Sequence, residues 1–291
     1  MSALHTQIWL NTIEETLKSD WEILTRLAKN DNINLYYNGI NRKVVIPNAG
    51  ADPVVTKNNS SFPLNISGRT DTTVEYDVDA FRAQPTRVLR EDALSVSYDK
   101  ISSIVESMFG ALGEAGKYDV FSRWIHEDQA KVEFTGTTGL EIADILKAKA
   151  ELDKQKVPAT NRILLLNAEH ANQLLTTMLT KDSNIAFNDN DGMMILNRPL
   201  FGFQVVQLPF VVEFASGTTT PVAYDEIGAE NNIPVSLAYH RDLVSVAKAD
   251  SYIFYNEGDA AQFGDIMSGE AYFGGKYRRN DFKGVVQIYK Q

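Results

Sequence analysis

The chain has no cysteine among its 291 residues. That removes disulfide staples, thiolate nucleophiles and cysteine-ligated zinc or iron–sulfur centres together. It has no apolar run near the ~20 residues that a membrane-spanning helix needs. Its opening stretch, MSALHTQIWLNTIEETLKSD, lacks the basic segment followed by a continuous apolar core that marks a secretory leader. The expectation is a soluble intracellular product with no membrane partner. Positive charge is also scarce, with 28 Lys and Arg against 38 Asp and Glu and a net charge of −10. No block of five basic residues occurs, and the densest cluster is Lys276, Arg278 and Arg279. Such a chain is repelled by nucleic acid unless its cations gather on one face.

Catalytic and ligand-binding motifs are missing as well. GEAYFGGKYRR, residues 269–279, resembles a phosphate loop but fails its spacing: Gly275 intervenes after Gly274, and Tyr277 stands where a magnesium-binding Ser or Thr belongs. No helical pattern follows to offer an anion-binding N-terminus. Gly110, Gly113 and Gly116 do not form G-x-G-x-x-G and fall inside a helical pattern. NDNDG, residues 188–192, fails as a calcium loop, since Gly192 in the sixth position puts Phe187 first and Arg198 in the place of the bidentate Glu. His126-Glu127 begins like H-E-x-x-H, but Ala130 occupies the second histidine position. His5, His170 and His240 are isolated in sequence and read as surface or structural residues, and no G-x-S-x-G elbow occurs. No residue is therefore assigned a catalytic, cofactor-binding or metal-ligating role.

What is present is ordinary globular material, 44% hydrophobic and 23% charged. From Ile8 to Lys29 an apolar stripe carries Trp9 and Trp21 and predicts an amphipathic helix that must dock on its own chain or on a neighbour. Residues 30–96 turn to short strands, Lys43–Ile46 and Thr72–Val78, around the polar stretch NAGADPVVTKNNSSFPLNISGRTD. A turn-rich stretch of that length predicts a projecting arm. A long helix is expected over 97–127, with Ser97 as N-cap and Asp99 at its positive end. Further expectations are a helix over 140–154, a buried strand over 162–166 capped by Asn167 into a helix, and a strand over 203–208. Strands near 234–242, 271–277 and 284–289 complete the pattern. Helices and strands mix without regular alternation, which favours an α+β fold. In the tail, Tyr272, Phe273, Tyr277 and Phe282 beside Lys and Arg are the ingredients of base stacking, but the acidic surroundings leave only weak, non-specific backbone contact with nucleic acid.

The order of these segments resembles the major capsid protein of tailed bacteriophages, the Hong Kong 97-type fold. DVDAFRAQPTRVLREDALSVSYDKISSIVESMFGALGE is similar to the approach to that family's spine helix. VPATNRILLLNAEHANQLL is similar to its axial-domain strand and helix, and PLFGFQVVQLPFV to the strand that follows. LAYHRDLVSVAKADSYIFY and GEAYFGGKYRRNDFKGVVQIY resemble its closing strands. The resemblance implies an N-terminal arm over 1–43 and an extended β-hairpin loop over 44–86. It implies a peripheral domain over 87–133 and 246–291, holding the spine helix 97–127, and an axial domain over 134–245. It implies a non-enzymatic subunit, without cofactor, that self-assembles into the pentamers and hexamers of an icosahedral shell around double-stranded DNA. Such a subunit resides in the virion after assembly in the host cytoplasm. A subunit that keeps its amino terminus works with a separate scaffolding protein and a portal, which are the further partners expected. Trp9, Trp21, Arg69, Arg278 and Arg279 are the candidate inter-subunit contacts, with Lys276 and Lys283 as further basic residues able to meet acidic neighbours. Two alternatives stay open: an encapsulin-type cellular compartment shell, and an unrecognised α+β enzyme whose carboxylates meet only on folding.

Overall fold

The computed structural model describes residues 21–38, 41–48, 50, 55, 57–58, 68–89, 100–134, 139–179, 186–190, 193–259 and 261–290. Trp9, Ser97 and Asp99 lie outside them, as does most of the expected arm between 49 and 71. The described strands form three sheets.

The first is built on the tail. Strand β16 (Gly264–Tyr277) is paired along one edge by β14 (Val244–Lys248) and β15 (Tyr252–Asp259). Its other edge is paired by β5 (Asp79–Arg82) and β6 (Thr86–Leu89), and the short β1 (Lys29–Asn30) adds parallel to β14. Helix α1 (Lys100–Arg123) lies across one face of this sheet. The contact is close because β16 presents small residues at alternate positions, which in a strand share a face. A Cβ on Gly269 would come within 2.9 Å of the Phe109 ring, and one on Gly275 within 2.8 Å of Val120. Gly269 and Gly275 of the tail thus form a seat for the helix. Val105, Phe109, Leu112, Val120 and Phe121 bury themselves there, with Met267, Ala271 and Phe273 opposite.

Helix α1 stops at Arg123, short of the expected Glu127. The amides of Trp124 and Ile125 donate to Phe121 and Ser122 (3.2 Å each), which tightens the last turn. The Gln129 amide then donates to the Trp124 carbonyl at 2.7 Å and takes the place of the next helical N–H.

The second sheet has eight strands. Its order is β7 (Ala130–Phe134), β17 (Val285–Lys290), β13 (Ile233–His240), β8 (Arg162–Leu166), β11 (Phe203–Gln207), β10 (Met193–Leu196) and β9 (Phe187–Asn190), with β12 (Val212–Phe214) also on β13. Helices α2 (Ile142–Lys154) and α3 (Ala168–Leu179) cover one face, burying Ile145, Ala148, Leu152, Ala171, Leu174 and Met178. Asn167 Oδ1 accepts the His170 N–H at 2.9 Å, the N-cap expected of it. Of the predicted apolar side of α3, Leu179 is instead half exposed, at 50%.

The third sheet joins β2 (Leu35–Asn38), β3 (Asn41–Asn48) and β4 (Thr72–Asp77) in an antiparallel ladder at the root of the polar stretch. The hydrogen-bonded sheets divide the chain differently from the segment boundaries implied by the resemblance. Strands β7 and β17, expected in the peripheral segments, pair inside the sheet of the axial segment. Strands β1 and β2, expected in the arm, belong to the first and third sheets, and β5, expected in the loop, belongs to the first. β1, β5, β7 and β17 take partners distant in sequence, which local pattern cannot reveal, whereas β2 pairs with its neighbour β3.

Candidate assembly surfaces

The third sheet is seated on the free face of the first by a small apolar cluster: Val44, Ile46, Val74, Tyr76 and Val78 against Ala247 and Ala249. Polar contacts frame it. The Arg42 guanidinium lies 3.5 Å from the centre of the Tyr272 ring. Lys276 Nζ donates to the Glu75 carbonyl at 3.2 Å. Arg123 spans the junction from the helix, pairing with Asp79 and, at 2.7 Å, with Asp119.

Beneath this seat lies a buried polar network. Asp31 follows β1, and its N–H donates to the Val246 carbonyl at 2.9 Å. Its carboxylate accepts from Ser245 Oγ at 2.5 Å and from Asn34 Nδ2 at 3.2 Å. Arg278 faces the same carboxylate at 3.4 Å, its side chain only 14% exposed. Tyr76 Oη lies 2.6 Å from Ser245 Oγ, and Trp124 Nε1 donates to the Ser245 carbonyl at 3.1 Å. Burial holds the Tyr76 phenol above its usual pKa, so it remains a proton donor.

The candidate contacts fall in different settings. Trp21 is half-buried and packs against the core of its own chain. Arg69 is exposed and pairs with Asp71 at 2.6 Å, while Asp71 also accepts the Gly50 N–H. Arg279 is exposed and pairs with Asp281 at 2.7 Å, and Lys283 reaches the same carboxylate at 3.2 Å. Hydrogen bonds from Arg279 and Lys283 lower the Asp281 pKa to about 2. Arg278 is largely buried and faces Asp31 of its own chain. Sequence reading passed over Asp31, Ser245 and Tyr76, and the one local signal was the turn-like run NDNIN around Asp31.

Other side chains point outward. Ile33 is 91% exposed, Val55 90% and Phe263 81%. Phe263 tips the β15–β16 hairpin with φ +52°, a backbone region disfavoured for a bulky residue. Tyr252 and Phe254 stand exposed on β15, an edge strand of its sheet. Unpaired edges and isolated exposed aromatics are what a partner chain can cover. No group of three or more His, Asp or Glu placed to hold a metal ion occurs among the described residues. Burial depresses the pKa of His240, and that of His170 to about 4.

No protein-family model and no curated protein sequence matches the chain. Solved structures do. The chain is similar to one in the capsid of the cyanophage P-SCSP1u, at 16% identity over 91% of this chain and 86% of that one, with a TM-score of 0.59. It is similar to one in the capsid of Ralstonia phage GP4, at 12% identity over 90% and 86%, with a TM-score of 0.62. A virus-like particle from Pyrococcus furiosus aligns at 9% identity over 96% of both chains, with a TM-score of 0.56. The likeness runs over about nine-tenths of this chain, which has the α+β fold of phage capsid subunits.

Proposed function

We propose that this chain is a major capsid protein, a subunit without enzymatic activity that self-assembles into an icosahedral shell. The carrying observation is the whole-length likeness to the capsids of a cyanophage and a Ralstonia phage. The exposed apolar anchors and open strand edges of the lone chain support it, since closed symmetric assembly buries such surfaces. On this reading the chain closes pentamers and hexamers around double-stranded DNA in a virion, meeting the genome only through weak contacts. Assembly takes place in the host cytoplasm with a scaffolding protein and a portal.

In the same reading residues 1–43 form the arm and 44–86 the extended loop. Residues 87–133 and 246–291, with α1 and β16, form the peripheral domain, and 134–245, with α2 and α3, the axial domain. Trp9, Trp21, Arg69, Arg278 and Arg279 remain proposed contacts between subunits, Arg278 also pairing with Asp31 within its own chain. Electron microscopy of the purified full-length protein, with size-exclusion chromatography, tests the reading: closed particles are expected. A monomer or dimer as the sole species under all conditions overturns it. Particles filled with an enzyme cargo and lacking nuclease-protected DNA would favour the compartment shell.

A further inference from the structure

The network around Asp31 ties together segments that the sequence keeps far apart: the N-terminal strand, the root of the loop, β14, the end of α1 and the tail. Its proton pattern is fixed by chemistry. A carboxylate only accepts, so Ser245, with one hydroxyl proton, donates that proton to Asp31 at 2.5 Å. Tyr76 must then donate to Ser245 Oγ across the 2.6 Å contact. The chain of donation runs from the loop root, through β14, to a carboxylate carried by the N-terminal segment. Tyr76 is 6% exposed, Ser245 0% and Asp31 1%, so none of them can turn to water when a partner leaves.

The apolar seat around this relay is small. Ala247 and Ala249 supply its floor, and Tyr76 is the one side chain that combines burial in that cluster with a hydrogen bond into the network. We infer that Asp31 latches the loop root: the seating of the N-terminal strand on β14 and the docking of the three-stranded sheet are energetically coupled through Ser245. Lifting β1 withdraws the carboxylate, leaves Ser245 and Arg278 without their anionic partner, and weakens the hold on Tyr76. Lifting the loop root in turn removes a donor from the relay and loosens β1. Coupling of this kind is reciprocal by thermodynamic necessity. The latch is a property of the folded chain and does not depend on the capsid reading; within that reading it links the arm to the loop.

Hydrogen exchange of the full-length protein, read by mass spectrometry, tests this, because exchange reports local opening. Asp31→Asn is expected to speed exchange across 41–48 and 72–77 by about tenfold, within the range usual for coupled sites. Tyr76→Phe is expected to speed exchange at 29–34 by a similar factor. In both variants 142–166 should exchange as in the parent. Effects confined to each variant's own segment overturn the coupling. Should Asp31→Asn fail to fold, Tyr76→Phe decides alone, and unchanged protection at 29–34 overturns the proposal.

Discussion

The ring of Phe273 lies against the bare backbone of Gly116, so closely that a Cβ there would stand 2.3 Å from ring carbon Cδ2. Phe273 is fully buried and cannot move aside without disturbing the core. Gly116→Ala should therefore destabilise the fold. The overpacking cost of ~1–3 kcal/mol outweighs the gain of about 1 kcal/mol in helix propensity. Gly110, on the same helix, has nothing within 4 Å of such a Cβ, so Gly110→Ala should gain roughly 0.5–1 kcal/mol. Thermal melting of the two variants should move in opposite directions.

Arg278 and Arg279 are neighbours with opposite expected outcomes. Arg278→Glu would set a second carboxylate against buried Asp31, and breaking a buried pair costs on the order of 3–5 kcal/mol. The urea midpoint should fall sharply. Arg279 sits on the surface with a local partner, so Arg279→Glu should leave the midpoint within about 0.5 kcal/mol of the parent. Equal midpoints for the two would refute the separation.

His170 makes stability depend on pH. It is buried between Phe134, whose ring centre lies 5.3 Å away, and Ser236, whose Oγ is 2.7 Å from Nδ1. Its pKa falls to about 4 in the folded chain, while an unfolded histidine titrates near ~6.5. Between these values the unfolded state takes up the proton first. The contribution is complete above the unfolded pKa and declines as pH falls toward the folded one, by about 3 kcal/mol in total. His170→Gln should flatten the stability profile between pH ~4 and ~6.5 relative to the parent, as read by denaturant titration at each pH. An unaltered slope would remove His170 from the account.

Phe263 tests assembly apart from folding. Its ring touches water almost entirely, and its φ of +52° suits Asn better than Phe. Phe263→Asn should therefore melt as the parent does, within about 0.5 kcal/mol. Under conditions where the parent forms closed particles, their yield by light scattering and microscopy should drop. Undiminished particle formation would exclude the hairpin tip as a contact.

Elements set by local chemistry were legible in the sequence. The strand Arg162–Leu166 is an apolar run after its first residue, Asn167 caps the helix after it, and the turn before Phe203 is written in Asn197-Arg198-Pro199. The end of α1 was not legible, because the Gln129 side chain that terminates it competes with an apolar pattern continuing through Trp124 and Ile125. The partner of Arg278 was equally hidden. Nothing near it in sequence marks Asp31, and only the pairing of β1 with β14 brings the two together. Exposed Ile33 and Phe263 look, as letters, like core residues. Their role depends on what surrounds them in space.

Each large sheet holds a strand from late in the chain that has neighbours on both sides. In the first sheet it is β16, flanked on both sides, and in the second β17 separates β7 from β13. During synthesis β7, β13, β14 and β15 all leave the ribosome before the strands that join them exist. Neither sheet can close until residues 264–290 are made, so the decisive pairings are long-range and slow. Completion of both sheets therefore waits on the synthesis of this stretch. Only then does the chain present the finished surfaces by which one copy can recognise another.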